Sequence, residues 1–223
     1  MQAQAPENAC VVLLHGLARS HRSMGAMEKA LRRAGYATAN INYPSRQFPI
    51  GQLADIAMDE GIRAFHESGR ATLHFVTHSL GGILLRQYTT RHPVAELHRV
   101  VMLGPPNQGS EAVDRLKHIP GYSLLNGPAG QELGTRDIDL PKRLGAVKFE
   151  LGVIAGRRSI NPVLSTLLPG ENDGKVSVSS TQIEGMRDFI NLPVTHTFMM
   201  RNPMVIQQTL HFLQHGRFDH KRV

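Results

Sequence analysis

The chain has 223 residues, 41% hydrophobic and 19% charged, a length and balance that suit one folded α/β unit and exclude a disordered polyelectrolyte. The net charge is +7, but the cations are scattered (Arg32, Arg33, Arg86, Arg91, Arg157, Arg158, Arg201, Arg217), Trp is absent and aromatics total 5%. That pattern excludes a nucleic-acid stacking platform and leaves a basic surface capable of weak contact with anionic membranes. Cys10 is the only cysteine, so no intrachain disulfide can form, and no apolar run reaches the roughly 20 residues that cross a bilayer.

Met1 to Pro6 carries no basic segment followed by an apolar one, so the chain as written reads as cytoplasmic, and as exported if a longer N-terminus has been trimmed. Beyond it, short apolar runs alternate with helical patterns. This is the signature of a mostly parallel sheet, here of about six strands, flanked by helices. Cys10 to Leu14 reads as a buried strand ending at His15-Gly16. A helix over Ser23 to Ala34 places Met24, Met27, Ala30 and Leu31 at helical spacing and closes at Gly35. Ala37 to Tyr43 is the second strand, stopped by Pro44, and Leu53 to Glu67 the next helix. Thr72 to Val76 forms the third strand, Ile83 to Arg91 a helix, and Arg99 to Leu103 the fourth strand. Residues 109–144 are rich in Gly, Pro and polar side chains and read as loops with short helices. Lys148 to Ala155 and Asp188 to Leu192 complete the strands, and a helix from about Pro203 to His215 closes the chain. No repeat or linker divides it, so one domain over 1–223 is expected.

The strongest chemical signal is Thr77-His78-Ser79-Leu80-Gly81-Gly82, directly after an apolar strand and directly before a helix. A turn that tight forces its central residue into a strained backbone and lifts the side chain above the sheet. The flanking residues must be small, because strand and helix backbones converge there. Gly81 and Gly82 meet this on the helix side; Thr77 stands where G-x-S-x-G has a glycine, which predicts a slightly wider elbow. The bland alternative is a serine that caps its helix.

A serine hydroxyl needs a base and donors for the developing oxyanion. His15-Gly16-Leu17 follows the first strand, where the second donor of such sites lies. The expected donors are the backbone N–H groups of Leu17 and Leu80, with His15 supporting the loop. Among 12 histidines, His196 is the one between the last strand and last helix, downstream of serine and acid, and is the expected base. His74 and His78 read as structural or pocket-lining. His211 and His215, four apart on the closing helix, lack a third metal ligand or a metalloprotease Glu. Asp173, in a turn-rich loop after the fifth strand, is the expected acid; Glu171 is its main rival and Asp188 a weaker one.

Taken together, Val12 to Leu17, Thr77 to Gly82, Leu103-Gly104-Pro105-Pro106-Asn107-Gln108-Gly109-Ser110, Asn172 to Val176 and Thr195-His196 resemble the α/β-hydrolase superfamily. Within it the chain is similar to small bacterial lipases and esterases, and the loop after the fourth strand looks like that of glycolipid-anchor inositol deacylases. The resemblance implies acyl transfer to Ser79, with His196 as base then acid and Asp173 orienting it, on a small-molecule or lipid ester, without metal or organic cofactor. It departs from larger members in beginning almost at the first central strand and in lacking a long inserted cap, so an open site is expected. His15, Gly16, Leu17, His78 and Met199 are expected at the substrate, and Met24, Met27 and Met200 either line an acyl pocket or pack the core. An acyltransferase or thioesterase would use the same three residues; a binding protein on the same scaffold would have no need of them.

Overall fold

The continuous apolar run Ala-Cys-Val-Val-Leu-Leu suits a strand covered on both faces, and β1 (Ala9–Leu14) is buried along its whole length. The structure, a computed structural model, describes residues 6–160, 165–166 and 168–222. β1 lies between β2 (Ala37–Ile41) and β3 (Thr72–His78), followed across the sheet by β4 (Leu97–Leu103), β5 (Glu150–Gly156) and β6 (Asp188–Leu192). All five pairings of this β2-β1-β3-β4-β5-β6 sheet are parallel. Parallel neighbours require crossovers, which place helices on both faces.

Those helices are α1 (Gly25–Arg33), α2 (Ile50–Glu67), α3 (Leu80–Thr89), α4 (Glu111–Leu116), α5 (Tyr122–Gln131), α6 (Leu140–Arg143), α7 (Val178–Thr181) and α8 (Pro203–His215). The two-residue period of the strands divides the core between them. Val12, Leu14, Phe75, Val100 and Met102 pack with Leu53, Ala57 and Phe65 of α2 and Ile83 and Leu84 of α3. Their alternates Val11, Leu13, Val76, Val101 and Leu103 pack with Met27 and Leu31 of α1 and Val205, Phe212 and Leu213 of α8. Among the described residues no large cap interrupts this arrangement.

Local chemistry explains most boundaries. α8 starts where Asn202 Oδ1 accepts the N–H groups of Met204 and Val205, with Pro203 at the first helical position. It stops at Gly216, whose φ of 69° suits glycine and whose N–H returns to the Phe212 carbonyl. Other ends differ from expectation. α2 begins at Ile50, one turn before Leu53, because Glu132 from a distant segment accepts the Ile50 N–H. α3 begins immediately after Ser79 rather than at Ile83, and β2 stops at Ile41, two residues before Tyr43. Within 109–144, α5 is broken at Gly127 (φ 65°, ψ −173°) ahead of Pro128, and a side chain at Gly127 would run into the Arg46 carbonyl.

Candidate active site

Ser79 joins β3 to α3 with φ 52° and ψ −118°. It is one of two non-glycine residues with positive φ among those described, a backbone region that strains an L side chain. Its N–H donates to the Leu103 carbonyl, which ties the bend to β4. Its hydroxyl caps nothing in α3, so the capping alternative does not describe this serine. Ser79 is half-buried between fully buried His78 and Leu80.

The glycines around it answer to distance. A Cβ on Gly81 would approach the Leu14 carbonyl oxygen to 2.7 Å and Leu14 Cβ to 2.9 Å, so α3 could not sit this close to β1. A Cβ on Gly82 would lie 3.2 Å from Thr77 Oγ1. Gly82 therefore makes the room that Thr77 takes on the strand side, and the departure from the two-glycine elbow is accommodated across the turn.

β1 ends in the loop His15-Gly16-Leu17-Ala18. His15 is buried, stacks on Tyr43 at 4.0 Å between ring centroids, and contacts the Gly16 carbonyl through Nδ1 at 2.9 Å. The Tyr43 hydroxyl donates to the His15 carbonyl. Burial holds the His15 ring below the usual histidine range, so it is neutral. A Cβ on Gly16 would sit 2.8 Å from His78 Nδ1 and 3.2 Å from Ser79 Cβ, so this glycine lies directly against the elbow. Ala18 is the other residue with positive φ, 55°, and its N–H donates to Ser45 Oγ. Among the described residues the Leu17 N–H has no acceptor. The Leu80 N–H opens α3 and so lacks an intrahelical one.

Asp173 and His196 come from the loops after β5 and β6. Asp173 Oδ2 accepts from His196 Nδ1 at 2.7 Å, and both side chains are almost wholly buried. Asp173 Oδ1 accepts the N–H groups of Lys175 and Val176 at 3.0 and 2.9 Å. The two loops are also joined through the backbone, since His196 N–H donates to the Asp173 carbonyl. Nδ1 faces the Asp173 carboxylate, which leaves Nε2 as the ring nitrogen free of that bond. The rival acids lie elsewhere. Glu171 is exposed and accepts from Asn191 Nδ2, while Asp188 accepts the Phe218 N–H and contacts His220 at the far end of β6.

Two neighbours brace this pair. His78 Nε2 donates to the His196 carbonyl at 3.1 Å, and the two rings lie 4.8 Å apart. Burial pushes His78 well below the ordinary histidine range. Gly104 ends β4 with φ 53°, and a Cβ there would stand 3.0 Å from Asp173 Oδ2 and 3.1 Å from His196 Nδ1. Only the smallest residue leaves the pair undisturbed.

Ser79 and His196 open into one cavity of about 320 Å³, walled by Leu17, Val113, Leu116, Leu133 and Val176 among others. Leu17 and His78 are among its lining residues. Met199 is not: it is fully buried in the core cluster beneath β1 and α8, with its sulfur close to Gly104. The reason is local, because the turn Met199–Arg201 carries it inward under the site rather than towards it. His15 and Gly16 support the cavity without walling it. Met24, Met27 and Met200 are core residues, His74 is buried near the start of β3 against the Arg99 N–H, and His211 lies beside His215 on α8 with the two rings tilted 45° to one another. α4 and α5 supply Val113, Leu116, Tyr122 and Asn126 to one wall. Arg19 and Lys175 line the cavity too, and neither is read from the sequence as a site residue.

Comparison with family models matches the alpha/beta hydrolase family over residues 11–196. No curated protein sequence matches the chain. Among solved structures, the mature lipase BlEst2 of Bacillus licheniformis is similar with a TM-score of 0.74 at 19% identity, covering 94% of this chain and 93% of that one. Lipase B of Aspergillus fumigatus has a TM-score of 0.68 at 15% identity, covering 99% of this chain. Phospholipase PlaB of Legionella pneumophila has 0.67 at 16%, covering 92%. The chain spans 57% of the length of each of the last two. At these identities the likeness is one of fold.

Proposed function

Because the chain belongs to the alpha/beta hydrolase family, we propose that it cleaves carboxylic esters through an acyl-enzyme formed on Ser79. The reading rests on one observation: a hydroxyl on a strained bend shares a cavity with an imidazole whose other nitrogen is bonded to a buried carboxylate. In this reading His196 Nε2 takes the Ser79 proton as the oxygen attacks the ester carbonyl. Asp173 holds the ring in the tautomer that leaves Nε2 free and stabilises the imidazolium that follows. The N–H groups of Leu17 and Leu80 receive the oxyanion, a role supported by their lack of other acceptors. His196 then protonates the leaving alkoxide, and water, deprotonated by the same nitrogen, releases the acid. A cavity of about 320 Å³ is at the small end of ligand sites and suits short or medium acyl groups.

The test is p-nitrophenyl butyrate hydrolysis and labelling by a fluorophosphonate, each with the wild-type chain and Ser79→Ala. We expect the variant to remain folded by circular dichroism, to lose about 10⁴-fold or more in kcat, and to resist labelling. A variant that hydrolyses or labels like the wild type would remove Ser79 from the mechanism.

A further inference from the structure

The cavity that holds Ser79 and His196 contains two cations, Arg19 and Lys175, and no carboxylate among its lining residues. Arg19 also lines an adjoining cavity of about 520 Å³ together with Arg46, again without a carboxylate, and Leu125 is the other residue common to both. None of the three cationic side chains has an ion-pair or hydrogen-bond partner among the described residues. The nearest acid, Asp173, is committed to His196 and to two backbone N–H groups. Desolvation and then the field of Arg19 lower the Lys175 ammonium from its usual range, with the Asp173 charge acting the other way, and desolvation and then Arg201 lower Arg19. Like charges that share a cavity without an ion-paired carboxylate are a cost that a bound anion removes.

Building on the ester-hydrolase reading, we propose that the substrate is an ester whose alcohol carries an anionic group, phosphate or carboxylate, received by Arg19 at the junction of the two cavities. The apolar acyl chain occupies the cavity around Leu17, Val113 and Leu133, and Lys175 adds positive potential from the opposite loop. A guanidinium is the better receiver of the two because its planar fork pairs with both oxygens of either anion.

The experiment compares three butyryl esters of one size class: monobutyrin, with a neutral alcohol; 1-butyryl-glycerol 3-phosphate; and the butyryl ester of glyceric acid. We expect at least one anionic ester to exceed monobutyrin in kcat/KM by about tenfold at low salt, an advantage that shrinks as ionic strength rises. The faster of the two identifies the anion. Arg19→Gln should bring the anionic-to-neutral ratio close to one, and Arg19→Lys should retain part of it. Each ratio is internal to one preparation, so a partly folded variant does not disturb it. If all three esters are cleaved equally, the hydrolase reading stands and the anion site falls. If none is cleaved, both fall.

Discussion

The sharpest demand at the scale of single residues falls on Asp173. A carboxylate 2 % exposed, with one oxygen on the imidazole and the other on two N–H groups, has no freedom to serve any other partner. Asp173→Asn preserves shape but can present its amide to His196 in place of an acceptor, which favours the wrong tautomer. We expect kcat for p-nitrophenyl butyrate to drop by about 10⁴-fold, with little change in melting temperature. Glu171→Gln, altering an exposed side chain on Asn191, should leave kcat within about twofold of wild type. The reverse ranking would transfer the acid's role to Glu171. Ser79, His196 and Asp173 were all marked by chain order and local pattern, because strand–turn–helix and turn-rich loops are short-range features. Chain order and loop position favour Asp173 over Glu171, two residues away; the structure adds that Asp173 turns inward to His196 while Glu171 turns out to Asn191.

Elements are held to one another by a small number of buried polar ties, and Arg86 is the heaviest of them. It lies in α3 with 2% exposure. Its guanidinium donates to the carbonyl and side-chain oxygens of Asn107 at 3.0 and 3.2 Å, and to the Pro141 and Gly145 carbonyls at 2.9 Å each. One side chain thereby fastens the helix after Ser79 to the loop after β4 and to α6. Burial pulls its pKa down to about 10, still charged at neutral pH. Arg86→Leu would leave those acceptors unpaired in the interior. We expect a loss of about 3 kcal/mol in unfolding free energy, read as a lower urea midpoint at unchanged slope. An unchanged midpoint would show that water reaches those carbonyls and that the tie is dispensable. In the sequence Arg86 is simply one of several scattered arginines, since its four acceptors come from segments 21 to 59 positions away.

For the whole molecule the consequence of burying neutral histidines is a stability that depends on pH. His15, His74 and His78 are each depressed below the ordinary histidine value of about 6.5, by desolvation first in every case, and His74 falls to about 3. The unfolded chain takes up a proton at each near 6.5 while the folded chain refuses it until lower pH. Below about 6.5 the unfolded state therefore binds more protons, and stability is lost as pH falls. For His74 the loss accumulates from about 6.5 down to about 3, at up to about 1.4 kcal/mol per pH unit. Urea midpoints should fall steadily between pH 7 and 5, and His74→Gln should flatten that slope. A slope unaffected by the substitution would mean that His74 is protonated within the fold. Its ring sits at the start of β3, away from the cavity, so activity offers no confounding change.

Short stretches of chain were enough to decide six strands by apolar runs, a closing helix over about Pro203 to His215, and an elbow at Ser79 framed by glycines on its helix side. Each of these is set by neighbours within a few residues, where propensity, capping and steric crowding act. The tertiary structure decided the rest. It turned Met199 into the core, brought α4 and α5 to one wall of the cavity, and set Gly82 against Thr77. It also gathered Arg19 and Lys175, 156 positions apart in sequence, around one cavity. Such meetings depend on which strands are neighbours and which way a loop folds over the sheet, and long-range packing energy, not local pattern, chooses between those alternatives.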